Sequence, residues 1–119
     1  MRAVMTNAGM ANAATGDQGY KDAVECANLA AKALGVTPDD VLLQSTGVIG
    51  RRMKMEAFVP AIPELVKTLG SSLEHGHRAG IAITTTDLVS KTAALQVWGQ
   101  EDWGRVWVGA GELRKHGGG

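Results

Sequence analysis

Apolar and polar positions alternate between two periods along this chain. A short apolar segment at the start, Arg2-Ala3-Val4-Met5, reads as a strand. It runs into a loop rich in Asn, Gly and Ala, Thr6 to Gly16, a composition that favours turns and left-handed backbone. Val24, Ala27, Ala31 and Leu34 then recur at helical spacing, with Lys21, Asp22, Glu25 and Lys32 off that stripe. Thr15 or Asp17 supplies the helix cap and Gly35 the stop. Thr37-Pro38-Asp39-Asp40 predicts one helical turn.

A second apolar run, Val41 to Gln44, predicts a buried strand that ends in a glycine-punctuated turn at Thr46-Gly47. Met55 to Leu69 is helical in pattern, but Pro60 and Pro63 predict two pieces rather than one rod. A short helix is expected over 72–78. Gly80 to Thr84 reads as a strand running into Thr85-Thr86-Asp87, where Asp87 can bond free N–H groups. Ala93–Trp98 and Arg105–Val108 read as a hairpin. Helices alternating with strands give an α/β or mixed α+β fold with no internal linker, hence one domain over residues 1–119.

Charge narrows the partners. Lys+Arg and Asp+Glu are 12 each among 119 residues, so the basic excess of a dedicated nucleic-acid binder is missing. No apolar run approaches the length that crosses a bilayer. The single cysteine, Cys26, falls in a helical pattern and reads as a small buried hydrophobe rather than a nucleophile. His75 and His77 flank Gly76, but no Cys or carboxylate cluster completes a ligand set, so no metal site is expected. Lys91 reads as a solvated charge, and Asn7 and Asn12 as loop-bracing residues. Trp98, Trp103 and Trp107 read as packing residues around the hairpin.

The chemistry sits in the glycine-punctuated segments. A strand leaving through Thr46-Gly47 can aim N–H groups and a hydroxyl at one point, an arrangement that binds a phosphate, a carboxylate or a tetrahedral oxyanion. On spacing alone a plain tight turn is the favoured reading. No G-x-x-x-x-G-K-[ST] occurs, which sets aside a P-loop NTPase.

Three ordered blocks resemble the ornithine acetyltransferase (glutamate N-acetyltransferase, ArgJ) family of arginine biosynthesis. Asn7 to Gly16 is similar to its N-S-G-N-A-N-A-C-T-G, Ser45 to Gly50 reproduces S-T-G-V-I-G, and Thr85 to Lys91 fits T-T-D-x-x-x-K. The resemblance implies a layered α/β sandwich, of which this chain forms a mixed sheet with helices on one face and no cover on the other. It implies an acetyltransferase that cleaves itself before a threonine, takes acetyl from N-acetylornithine through a threonine acyl-enzyme and passes it to glutamate. Acetyl-coenzyme A serves some members as donor, and no other cofactor is implied.

By the same resemblance Thr46 and Gly47 form the oxyanion hole, while Thr85 and Lys115 contact substrate, Lys115 standing one residue further from the glycines than in the family. The family's K-G-x-G-M-I-x-P-N-M-A-T, which ends in the nucleophile, has no counterpart before Gly119, and Met10 replaces an Asn of the first block. The chain therefore resembles a fragment of the α chain, incomplete at both ends. Its implied partners are the small substrates and a β chain in a heterotetramer, with no nucleic acid or membrane. The implied location is the bacterial cytoplasm, or a mitochondrion or plastid. A catalytically inactive remnant or an interaction module is the competing expectation.

Overall fold

The computed structural model describes residues 1–90. The element order is β1 (Ala3–Met10), α1 (Gly16–Leu34), a single 3-10 turn (Pro38–Asp40), β2 (Val41–Val48), α2 (Met55–Lys67) and α3 (Leu73–Ala82). β1 and β2 pair in parallel from Ala3↔Val41 to Met10↔Val48, with α1 as the crossover. The mixed α/β class read from the sequence is the class observed.

One face of this sheet carries the core. Ala3, Met5, Val41 and Leu43 pack with Cys26, Ala30 and Ala31 of α1 and with Met53, Met55, Ile62 and Phe58 of the α2 region. Strand side chains alternate between faces, so Val4, Leu42 and Val48 lie on the other side, where they are 58%, 52% and 53% exposed. Among the described residues α1 and α2 therefore cover one face, and no element covers the other.

Both strands run further than their apolar residues indicated. β1 continues through Thr6, Asn7 and Gly9 to Met10, and β2 continues through Ser45, Thr46 and Gly47 to Val48. The turn expected at Thr46-Gly47 is thus the last part of a strand, and the bend falls at Ile49–Arg51. Pairing between the strands supplies hydrogen bonds that local turn propensity does not anticipate.

The helices also depart from expectation. The buried stripe of α1 is Gly19, Asp22, Cys26, Ala30 and Ala31, rotated from the predicted stripe, and Val24 is exposed. Thr15 occupies the N-cap position without a side-chain cap bond, whereas Gly35 ends the helix in the left-handed conformation as expected. α2 is one helix through Pro60 and Pro63. Each proline removes one backbone bond, and burial of Met55 and Ile62 against α1 and the sheet holds the rod together. The strand expected at 80–84 is instead the end of α3 and the turn after it, with Ser72 as N-cap accepting from the His75 N–H. The expected hairpin, the three tryptophans, Lys91 and Lys115 lie outside the described residues.

Candidate functional site

Ligands of parallel α/β sheets gather beyond the carboxyl ends of the strands. Here those ends are Met10 and Val48, and the two segments that leave them are tied together. The Ala11 N–H donates to the Val48 carbonyl (2.9 Å) and the Gly50 N–H to the Ala13 carbonyl (3.0 Å). The register is uniform from Ala3↔Val41 to Met10↔Val48, and near its end Gly9 at φ +109° faces Gly47 at φ +132°.

The backbone directions at Thr46 and Gly47 follow from the ladder. In a parallel pair, alternate residues of one strand address its partner. Asp40 and Val48 both present carbonyls to β1, so the even-numbered residues of β2 face β1. The Thr46 N–H is therefore engaged in the ladder, while the Gly47 N–H faces away from β1. The Thr46 side chain lies on the open sheet face with those of Leu42 and Val48, and its hydroxyl has no hydrogen bond among the described residues. Among the described residues a hydroxyl and an amide from consecutive positions are left over, and both are donors.

Gly47 has a second duty. A Cβ there would stand 2.2 Å from the Gly9 carbonyl carbon and 2.5 Å from the Met10 nitrogen. Only glycine lets the two backbones approach so closely.

On the covered face, next to this pair, sits a polar knot. Asn7 Nδ2 donates to the Met10 carbonyl and to Ser45 Oγ, each at 2.9 Å, and Ser45 Oγ donates to the Met10 carbonyl at 2.5 Å. This knot borders a cavity of about 320 Å³ that Met5, Leu43, Cys26, Met53 and Phe58 also line. Thr46 lies on the opposite side of the sheet, so the cavity and the Thr46–Gly47 donors are separate features. Asn7 braces backbone, as expected of it.

Asn12 does the same for the start of α1. Its Nδ2 donates to the Gly19 carbonyl (2.8 Å), and Thr15 Oγ1 donates to Asn12 Oδ1 (2.8 Å). Gly19 leaves room for them, since a Cβ there would strike Thr15 and Asn12.

Sequence patterning missed the strongest electrostatic contact. Asp22 is 1% exposed and receives a two-pronged bond from Arg52, Nε to Oδ2 and Nη2 to Oδ1, both 2.8 Å. Gln18, one turn earlier on α1, donates to Oδ1 at 2.9 Å. The Arg52 hydrogen bond holds the Asp22 carboxyl below its ordinary pKa, against the opposing push of burial. A depressed carboxyl contributes stability above its unfolded pKa of about 3.9 that is lost as pH falls through its folded value. In urea unfolding the native chain is therefore expected to lose stability below about pH 4, and Asp22→Asn to lose less over the same interval. Equal pH slopes in the two proteins would refute this assignment. The available signal was the Gln18-Asp22-Cys26 spacing of four, which sets these side chains on one helix face.

The remaining candidates are dispersed. Cys26 is fully buried, and burial pushes its thiol pKa up, which keeps it protonated and unreactive. Thr85 is exposed in the turn after α3, and no bond links it to Thr46 or Gly47 among the described residues. Thr84 Oγ1 donates back to the Ile81 carbonyl (2.7 Å). Thr84 to Asp87 thus follow a helix, not the strand expected there. His75 Nδ1 pairs with Ser72 Oγ at 2.6 Å. Among the described residues no group of three or more His, Cys, Asp or Glu is placed to hold a metal ion, and no helix is long and apolar enough to cross a membrane.

Comparison with known proteins adds an independent line. The model of the ArgJ family matches residues 1–114. The chloroplastic arginine biosynthesis bifunctional protein ArgJ of Zea mays is 58% identical over 95 residues, 80% of this chain and 20% of that protein. Its counterpart in Physcomitrium patens is 54% identical over 95 residues, 80% of this chain and 18% of that protein. The chain thus spans about a fifth of the length of the curated relatives it matches. Ornithine acetyltransferase of Mycobacterium tuberculosis, solved in complex with ornithine, superposes with a TM-score of 0.71 at 35% identity, covering 72% of this chain and 47% of that one. ArgJ of Bacillus halodurans gives a TM-score of 0.66 at 33% identity, covering 72% of this chain and 44% of that one.

Proposed function

The chain belongs to the ArgJ family, and we propose that it supplies the oxyanion-stabilising part of an acetyltransferase site serving arginine biosynthesis. Residues 1–119 are one partial domain of that enzyme. The donor is N-acetylornithine, with acetyl-coenzyme A as an additional donor, and the acceptor is glutamate. The nucleophile is a threonine carried by a β chain, with which this chain assembles as a heterotetramer. No metal or bound cofactor takes part.

The observation that carries this reading is the pair of donors at consecutive positions, the Thr46 hydroxyl, unpaired among the described residues, and the Gly47 amide facing away from β1. Acyl transfer needs such a pair. When a threonine hydroxyl attacks the acetamide carbonyl, a C–O bond forms and the carbonyl oxygen takes up negative charge. The intermediate then expels the ornithine amine, which leaves with a proton. In the second half the glutamate amine attacks the acetyl ester, and the threonine hydroxyl is regenerated. Negative oxygen builds up at the same place twice, and preorganised donors there lower both barriers. Thr85 and Lys115 are assigned to substrate binding in the assembled enzyme. Plant relatives bear chloroplastic names, which supports a plastid location in a plant host.

Complementation tests this reading. The chain alone is expected to give no turnover. Mixed with a Thr-initiated β chain, it is expected to transfer acetyl from N-acetylornithine to glutamate. Binding to that β chain without any acetyl transfer would favour the interaction-module reading, to which the open apolar face of Val4, Leu42 and Val48 lends support.

A further inference from the structure

We infer that Asp22, acting through Arg52, is a positioning residue for the Thr46–Gly47 donor pair; the inference rests on the oxyanion role proposed above for that pair. After Val48, β2 ends and no regular structure begins until Met55. Four ties hold the path between. Two are backbone bonds to the first loop, from Ala11 to the Val48 carbonyl and from Gly50 to the Ala13 carbonyl. Met53 is buried in the core with Cys26, Ala30 and Ala31 of α1. The fourth is the Arg52–Asp22 fork, the tie that reaches α1 through directed hydrogen bonds.

The geometry of that fourth tie is suited to fixing direction. Arg52 presents a planar fork to both oxygens of one carboxylate, which sets orientation as well as distance. Asp22 is itself immobilised by burial and by Gln18. A buried carboxylate is an expensive way to fill a helix face, because an apolar side chain there would avoid its desolvation. What the charge adds is a defined endpoint for Arg52. The segment it anchors begins at Ile49, two residues after Gly47. A drift of that turn rotates the Gly47 peptide and, with it, the amide direction. The first loop alone is a soft support, since Ala13 and Ala14 are exposed and Ala14 is strained at φ +55°.

The test uses the full chain and two variants, Asp22→Asn and Arg52→Lys, the second keeping the charge but losing the fork. Site-resolved amide exchange is followed at Gly50 and, as reference, at Ala30 and Ala31 in α1. Both variants are expected to exchange the Gly50 amide about tenfold faster while the α1 amides stay unchanged. In the complemented transfer assay kcat is expected to fall roughly ten- to a hundredfold with KM for N-acetylornithine unchanged. An unchanged Gly50 rate, or acceleration of Gly50 and α1 together, would overturn the inference, the latter because it reports global destabilisation. Full turnover in Thr46→Val alongside a selectively loosened Gly50 would remove the oxyanion reading, and with it the catalytic meaning of a tie that the exchange data still show.

Discussion

Gly47→Ala is expected to unfold in urea at a much lower concentration than the native chain, with a loss of roughly 3 kcal/mol or more. Two costs combine. Alanine is strained at φ +132°, and its Cβ would lie 2.2 Å from the Gly9 carbonyl carbon and 2.5 Å from the Gly9 oxygen. Those atoms belong to backbone, so neither strand can yield by rotating a side chain. Gly50 provides the control. It is also left-handed, at φ +79°, but nothing lies within 4 Å of a Cβ built there. Gly50→Ala should therefore show strain alone, about 1–2 kcal/mol. Equal losses at the two positions would mean that the close strand crossing is not a feature of the folded chain. The contrast also limits what Gly47 substitutions can say about chemistry, since the residue holds the strands together whatever its amide binds.

Which parts of this molecule were legible in the sequence follows from what governs each part. The 3-10 turn at Pro38 and the stop at Gly35 are local events, set by one or two residues, and both stand where the pattern placed them. The extent of β1 and β2 is not local. Asn7, Gly9 and Gly47 are poor candidates for strand interior by propensity, and they are strand because each faces a partner 38 residues away. The same nonlocal pairing moved the expected turn from Thr46-Gly47 to Ile49–Arg51. Pro60 and Pro63 argue locally for a break that tertiary burial of Ile62 overrides. At 80–84 the β-branched run suggested a strand, yet the cap at Ser72 starts a helix that runs on to Ala82.

The site was legible in its motif and not in its wiring. Ser45 to Gly50 pointed to an anion-binding segment, but only the ladder parity separates the Thr46 amide, which is engaged, from the Gly47 amide, which faces away from β1. Asp22 falls off the apolar stripe that the sequence predicts for α1, and aspartate is seldom buried. Its burial depends on Arg52, 30 residues on, and no spacing rule joins those positions.

Thr46→Val carries the largest expected effect on turnover. Valine keeps the branched shape and suits a strand, and the Thr46 hydroxyl has no hydrogen bond among the described residues to lose. Stability should hardly change. What disappears is one donor to the developing oxyanion, a loss of about 10²–10³ in rate, or roughly 3–4 kcal/mol of transition-state stabilisation. Serine at the same position retains the hydroxyl and lacks only the methyl that restricts χ1, so Thr46→Ser should keep most of the rate. The decisive measurement is kcat for acetyl transfer from N-acetylornithine to glutamate, in the chain complemented by its nucleophile-bearing partner, for Thr46→Val against Thr46→Ser. A fall of two orders of magnitude or more in the valine variant, with the serine variant near native and both equally stable, is the result expected; valine and native chains turning over at the same rate would contradict the account.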